Sequence, residues 1–142
     1  MHLETQIADF LSCRRFAVVG ASTDRRKYGN KVFRCYLQNG RQAVPVNPNA
    51  TVVEGVPTVA SLSQMNPPPD AVSIITPPNV TERVVAEAIG EGIKHIWMQP
   101  GAENANAIAA CRVAGVNLIH SGPCLLVVLG NRETTGESAA GR

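Results

Sequence analysis

The stretch VVGASTDRRKYGNKV, residues 18–32, decides how the rest of the sequence is interpreted. An apolar strand runs into Gly20-Ala21-Ser22, a basic loop follows, and the spacing of apolar residues then becomes helical. A glycine at such a turn lets a ligand approach the backbone, and a helix N-terminus behind it favours an anion. The stretch matches neither the dinucleotide pattern G-x-G-x-x-G nor the P-loop pattern. It therefore predicts a phosphate-binding turn of another type.

Strand-like and helix-like segments alternate from this stretch to the C-terminus. Five short apolar segments predict strands, four segments with helical apolar spacing predict helices, and a brief helix is expected over 59–65. The predicted strands are 16–20, 42–48, 70–77, 94–100 and 116–122, and the predicted helices are 2–13, 29–40, 79–92 and 103–115. This order indicates a doubly wound, Rossmann-like α/β sandwich of three layers with a mainly parallel five-stranded sheet.

Three local signals refine this arrangement. Pro45 lies inside the second strand, and because proline has no N–H to donate, that strand is expected at an edge of the sheet. Asn79 and Glu82 are spaced as a capping box at the start of the third helix. Gly92 and Gly115 are expected to end the third and fourth helices.

Composition indicates one globular domain over residues 1–130 and a flexible polar tail over 131–142. The hydrophobic fraction of 44% is sufficient for a core, and with only 4% aromatic residues that core must be largely aliphatic. The formal net charge of +2 is too small to indicate nucleic-acid binding.

The sequence carries no pattern typical of a membrane helix, a signal peptide or a cysteine-based site. No apolar run approaches the roughly 20 residues of a membrane helix, and the N-terminus lacks the basic segment of a signal peptide. The four cysteines are too far apart for a zinc or disulfide framework. We therefore expect a reduced, cytoplasmic protein with no metal site.

In a doubly wound sheet, ligands bind at the carboxyl ends of the strands, so the loops there are the candidate site. These loops are 20–22, 46–48, 76–78, 99–101 and 120–122. Gly20 and Ser22 suit a phosphate, and Arg26 and Lys31 are candidate cations beside it. Arg25 and Lys27 extend the same basic run.

The loop after the second strand narrows the choice of ligand. A NAD site normally places Asp or Glu there to bind the ribose hydroxyl, whereas this strand ends in Val46-Asn47-Pro48. A site without that acid and with several bases suits an adenine nucleotide carrying an extra ribose phosphate. NADP and coenzyme A (CoA) both meet that description.

The ordered set VVGAS, VPVNP, EGVPTVASL, DAVSIITPP, WMQPGAEN and AGVNLI carries a resemblance. Over roughly residues 10–129 the chain resembles the small stand-alone CoA-binding proteins. That family is similar to the N-terminal CoA-binding domain of the succinyl-CoA synthetase alpha subunit. The resemblance implies that CoA or an acyl-CoA is the ligand. It implies phosphate contacts at Gly20, Ala21 and Ser22, adenosine contacts at Val46, Asn47 and Pro48, and a pantetheine path along Thr76, Pro77, Pro78 and Val80.

Residues for catalysis are harder to find. The synthetases that share this domain need a further domain with a phosphorylated histidine, so the resemblance implies that this chain binds CoA without making its thioester. His120 and Cys124 lie after the fifth strand, but no acid and nucleophile converge there, as catalysis would require. We therefore predict no catalytic residues and expect a non-catalytic binder.

Two other functions stay open at this point. One is an NADP-dependent oxidoreductase, and the other is a regulatory or interaction domain that has lost its ligand. A protein partner or a homo-oligomer is compatible with any of the three.

Overall fold

The computed structural model describes residues 2–132, and these form four α-helices and seven strands. The helices are α1 (Leu3–Leu11), α2 (Tyr28–Gln38), α3 (Pro78–Gly90) and α4 (Ala105–Ala114). The strands are β1 (Arg15–Val19), β2 (Gln42–Val46), β3 (Val52–Val53), β4 (Val56–Pro57), β5 (Ala71–Ile74), β6 (His95–Met98) and β7 (Asn117–Ile119). A 3-10 turn at Leu62–Gln64 and a π-helical turn at Leu126–Gly130 complete the described fold.

Five of the strands form one parallel sheet in the order β2-β1-β5-β6-β7. The predicted α/β class and the five-stranded parallel sheet are confirmed. Pro45 lies in β2 at the edge of the sheet, as its missing N–H requires. The chain leaves β1 toward one edge and returns to β5 on the other side of β1, so β1 and β5 flank the topological switch point.

The two faces of the sheet have different cores. α3 and α4 cover one face, whose buried cluster contains only aliphatic and sulfur side chains, such as Val19 and Ile74. α1 and α2 cover the other face, where Trp97 meets Phe10 edge-on at 5.3 Å and Phe16 stacks on Tyr36 at 4.9 Å. The scarce aromatic residues are therefore concentrated on one side of the sheet.

Local structure departs from the sequence-based expectations in three places. β3 and β4 pair as an antiparallel hairpin that was not predicted. The brief helix expected over 59–65 is the single 3-10 turn. The predicted cap at Asn79 is wrong, because α3 begins at Pro78 with Pro77 as its N-cap, and no side chain caps it.

Glycines end two of the helices as expected. Gly115 follows α4 with a left-handed φ of 71°, and Gly92, two residues beyond α3, has a φ of 78°.

Both edges of the sheet are covered by short contacts. At β7, Gln6 of α1 donates to the Leu118 carbonyl at 2.9 Å, and Asn117 donates back to the Gln6 carbonyl at 3.0 Å. At β2, the segment around Val59 runs alongside, accepting from the Asn47 amide at 2.9 Å and donating to the Pro45 carbonyl at 3.2 Å. Neither edge therefore presents a free row of backbone groups.

The predicted tail begins with two residues that contact the domain. The Asn131 amide donates to the Leu126 carbonyl at 3.0 Å, and the Arg132 amide donates to Gln38 Oε1 of α2 at 2.9 Å. The rest of the predicted tail, 133–142, lies outside the described residues. Within 2–132, no helix has the length and apolar character needed to cross a bilayer.

Candidate functional site

The main cavity of the molecule opens at the carboxyl ends of β1, β2 and β5, at the topological switch point, and has a volume of about 730 Å³. Its position agrees with the edge of the sheet at which doubly wound folds bind ligands. Nine of the predicted site residues line it: Gly20, Ala21, Ser22, Val46, Asn47, Pro48, Thr76, Pro77 and Val80. Arg26, Lys31 and Pro78 are not part of this lining.

Two glycines bring the first loop, helix α2 and β5 into close contact. Gly20 has a φ of 100°, and a Cβ built on it would lie 1.9 Å from the Ile75 carbonyl oxygen. A Cβ on Gly29, in the first turn of α2, would lie 2.0 Å from the Gly20 carbonyl oxygen. Each position therefore excludes any side chain. The spacing of known glycine fingerprints did not single out Gly29, which supplies the close packing of helix against strand from nine residues downstream.

Four backbone amides on the cavity lining lack a protein acceptor among the described residues. They belong to Ala21 and Ser22 in the loop and to Tyr28 and Gly29 at the start of α2. The first N–H groups of any helix have no partner within the helix, and together with its dipole they favour an anion. Loop and helix thus form a single cluster of available donors.

The carbonyl groups of the same loop are occupied by two asparagines. Asn47 donates to the Ala21 oxygen at 2.8 Å, and Asn30 donates to the Ser22 oxygen at 2.8 Å. Asn30 is fully buried, and it also donates to Glu54 Oε2 at 2.9 Å and accepts from Arg34 Nε at 2.6 Å. These bonds fix the carbonyls of Ala21 and Ser22 and leave the amides of the same two residues available to a ligand.

The positively charged side chains on the lining are Lys27 and Arg83. Arg26 instead forms two hydrogen bonds to the carboxylate of Asp24, both at 3.0 Å, and its side chain is 90% exposed. Hydrogen bonds from Arg26 lower the pKa of Asp24 to about 2. Lys31 lies one turn into α2 and is half-buried. The roles predicted for Arg26 and Lys31 stay predictions.

A smaller cavity of about 290 Å³ adjoins the main one across Ile75, Thr76 and Pro77. Its remaining lining is Pro100, Gly101 and Ala102, after β6, and carries no charged side chain. The Thr76 hydroxyl is hydrogen-bonded to the Thr81 hydroxyl at 2.7 Å, which fixes the loop between the two cavities. The third and fourth predicted loops, 76–78 and 99–101, therefore line the smaller cavity together.

Tyr28 links the main cavity to a polar cluster that sequence reasoning missed. Its hydroxyl donates to Gln99 Oε1 at 3.1 Å and lies 2.8 Å from Cys124 Sγ. Burial, together with the Cys124 contact, raises the pKa of Tyr28. Gln99 is fully buried, and its Nε2 has no partner among the described residues. No sequence pattern indicates that a glutamine at the end of a strand will be buried and hydrogen-bonded to a tyrosine.

Other chemically reactive side chains do not converge at this site. His120 is hydrogen-bonded to its neighbour Ser121 at 2.6 Å, and neither lines the main cavity. All four cysteines are free, and burial raises the pKa of Cys35 and of Cys111 to about 11. Within the described range, no group of three or more His, Cys, Asp or Glu side chains is arranged to hold a metal ion.

Comparison with known proteins shows the family of this chain. The model of a CoA binding domain matches residues 14–130. The alpha subunit of an ADP-forming acetate–CoA ligase II from Pyrococcus furiosus is 30% identical over 88 residues, which are 61% of this chain and 19% of the subunit. The chain thus spans about a fifth of that subunit. The uncharacterized protein YneT from Bacillus subtilis is 27% identical over 75% of this chain and 78% of its own length.

Solved structures share the fold of this chain. A conserved hypothetical protein from Pyrococcus furiosus has a TM-score of 0.76 and 36% identity, covering 81% of this chain and 98% of its own. A Thermus thermophilus protein has a TM-score of 0.80 and 26% identity, covering 89% of this chain and 96% of its own. Both relatives have nearly the length of the described domain.

Proposed function

We propose that this chain, which belongs to the family of CoA binding domains, binds CoA or an acyl-CoA in the main cavity without catalysing a reaction on it. The CoA phosphates lie against the Gly20-Ala21-Ser22 loop and the start of α2. The observation that carries the proposal is the cluster of four available amides on the cavity lining. Such a cluster, at a helix N-terminus, suits phosphate oxygens.

The rest of the ligand follows the remaining lining. Val46, Asn47 and Pro48 flank the adenosine, and the end of β2 carries no Asp or Glu where a NAD site normally places one for the ribose hydroxyl. The pantetheine arm passes along Thr76, Pro77 and Val80 and reaches the smaller cavity beyond them. An uncharged, proline-walled path suits a long neutral chain that is recognised mainly by shape.

Several finer predictions accompany this proposal. The acyl group, the cytoplasmic location and any protein partner or self-association remain predictions from the sequence. NADP oxidoreduction is the competing function, since NADP also carries an extra ribose phosphate. The experiment below separates the two ligands.

The test is a thermal-shift titration of the full chain with CoA, acetyl-CoA, NADP and NAD, with affinities then measured by calorimetry. A ligand at about 100 times its Kd adds about 2.7 kcal/mol of stability, or about 5–10 °C for a domain of this size. We expect this shift with CoA and acetyl-CoA only. A shift with NADP alone, or with none of the four at millimolar concentration, contradicts the proposal.

Substitutions then locate the phosphates. Ser22→Ala removes a hydroxyl beside the loop amides and is expected to weaken CoA binding about tenfold. Lys27→Gln is expected to weaken it about threefold, since an exposed charge contributes modestly. Lys31→Gln is the matched control with the charge outside the cavity lining. A larger effect at Lys31 than at Lys27 would assign the phosphate contact to Lys31 instead.

A further inference from the structure

Helix α3 carries three charged side chains, two of which line the cavity, and only Arg83 lacks a partner among residues 2–132. Asn106 of α4 donates to both Glu82 carboxylate oxygens at 3.4 Å. Glu87 accepts from the Ser63 amide at 3.1 Å. Arg83, between them, forms no side-chain hydrogen bond or ion pair among residues 2–132.

Arg83 forms no ion pair with the acidic residue one turn further along α3. Residues four apart on a helix are neighbours, so Glu87 is the natural ion-pair partner of Arg83. The Glu87 carboxylate instead accepts a hydrogen bond from the backbone amide of Ser63, in the 3-10 turn Leu62–Gln64. An arginine left without its helical partner on the lining of a cavity is available to an anionic ligand.

The position of Arg83 indicates which anion it reaches. Together with Val80, Val84 and Glu87 it forms the α3 wall of the main cavity. Asn49, Ala60 and Ser61 belong to the same lining and come from the chain that follows β2. These residues adjoin Val46-Asn47-Pro48, which flank the adenosine in the proposed function. The hydrogen bond from the Ser63 amide to Glu87 holds this turn of α3 against that chain, so Arg83 is assigned to the adenosine end. The free amides and Lys27 are at the loop and the start of α2.

We propose that Arg83 binds the ribose phosphate of CoA and makes the site selective for CoA over its 3′-dephospho form; this rests on the proposed function. A guanidinium offers paired N–H donors that match phosphate oxygens, and such charge-assisted bonds are stronger than neutral ones. The charged side chains on the lining are Lys27, Arg83 and Glu87, so their net charge is positive even with Glu87 ionised. The cavity therefore has one cation on the side of the diphosphate, Lys27, and a second, Arg83, for the ribose phosphate.

The test compares CoA with 3′-dephospho-CoA by calorimetry on the wild-type chain and on Arg83→Gln. The wild type is expected to prefer CoA about tenfold. Arg83→Gln is expected to lose most of this preference, entirely through weaker CoA binding, with the affinity for 3′-dephospho-CoA unchanged. Arg83→Lys keeps the charge without the paired donors and is expected to fall between the two.

Arg112→Gln is the matched control, because Arg112 is an exposed arginine on α4 outside the cavity lining. Equal losses for both ligands in Arg83→Gln, or an unchanged preference, would overturn the role of Arg83 while leaving CoA binding intact. Failure of the wild type to bind either ligand would instead overturn the proposed function, and this inference with it. Because Arg83 is exposed, we expect Arg83→Gln to fold with the stability of the wild type.

Discussion

The two walls of the main cavity are built in different ways. The first, which we call the amide wall, consists of Gly20–Ser22 and Lys27–Gly29, and its donors are backbone groups held by buried contacts. The second, the α3 wall, presents side chains from a regular helix. A backbone wall cannot change without disturbing the fold, whereas a side-chain wall can be altered one residue at a time. Under the proposed function, the amide wall would bind phosphate in general and the α3 wall would select the ligand.

The largest effect on stability is expected at Gly29, in the amide wall. Gly29→Ala is expected to lower the free energy of unfolding by about 3 kcal/mol or more, because the new Cβ would meet the Gly20 carbonyl oxygen at 2.0 Å. Gly90→Ala, at the end of α3, meets nothing within 4 Å and is expected to raise it by about 0.5–1 kcal/mol. Urea unfolding measures both changes. If Gly29→Ala were as stable as the wild type, the amide wall would tolerate substitution as well as the α3 wall does.

Asn30 provides a test of intermediate size. Asn30→Ala leaves the Ser22 carbonyl and Arg34 Nε without this buried partner, so we expect a loss of about 2–3 kcal/mol in stability. CoA binding should weaken as well, because the loop carbonyl is no longer held. Asn79→Ala is the control, since Asn79 is exposed and caps no helix. The same denaturation and calorimetry apply, and equal effects at the two asparagines would remove the special role of Asn30.

The smallest effect is expected at the exposed pair of Asp24 and Arg26. Arg26→Gln should raise the pKa of Asp24 from about 2 toward its ordinary value of 3.8, as measured by NMR titration of the carboxyl group. Because the folded pKa is lowered, the pair stabilises the fold fully above the ordinary pKa, and this contribution is lost as pH falls toward 2. At pH 7 CoA affinity should stay nearly unchanged. A tenfold loss would show that Arg26 leaves Asp24 for the ligand.

The sequence predicted the sheet well because its signals are local. Short apolar runs, Pro45 at an edge strand and Gly115 after α4 each report a backbone requirement of the nearest residues. The loops of the candidate site followed from topology alone. The cap at Asn79 was predicted wrongly because Pro78 already starts the helix one residue earlier.

What sequence reasoning missed depends on packing between distant segments. Gly29 matters because α2 crosses the backbone at Gly20, which no fixed motif spacing encodes. The roles of Arg26 and Lys31 rest on their nearness in sequence to the loop and stay predictions, and Arg26 is paired within its own turn. Arg83 reaches the cavity from another part of the chain, and its availability depends on where Glu87 is engaged.

The covered edges of the sheet have a consequence for how this molecule meets other molecules. An open edge strand is a template onto which another polypeptide can add by backbone pairing, which leads to aggregation or to recognition by strand addition. Here Gln6 occupies the Leu118 carbonyl on one side, and the segment at Val59 occupies β2 on the other. We therefore expect any association of this domain to use helix faces and loops, leaving the sheet at five strands.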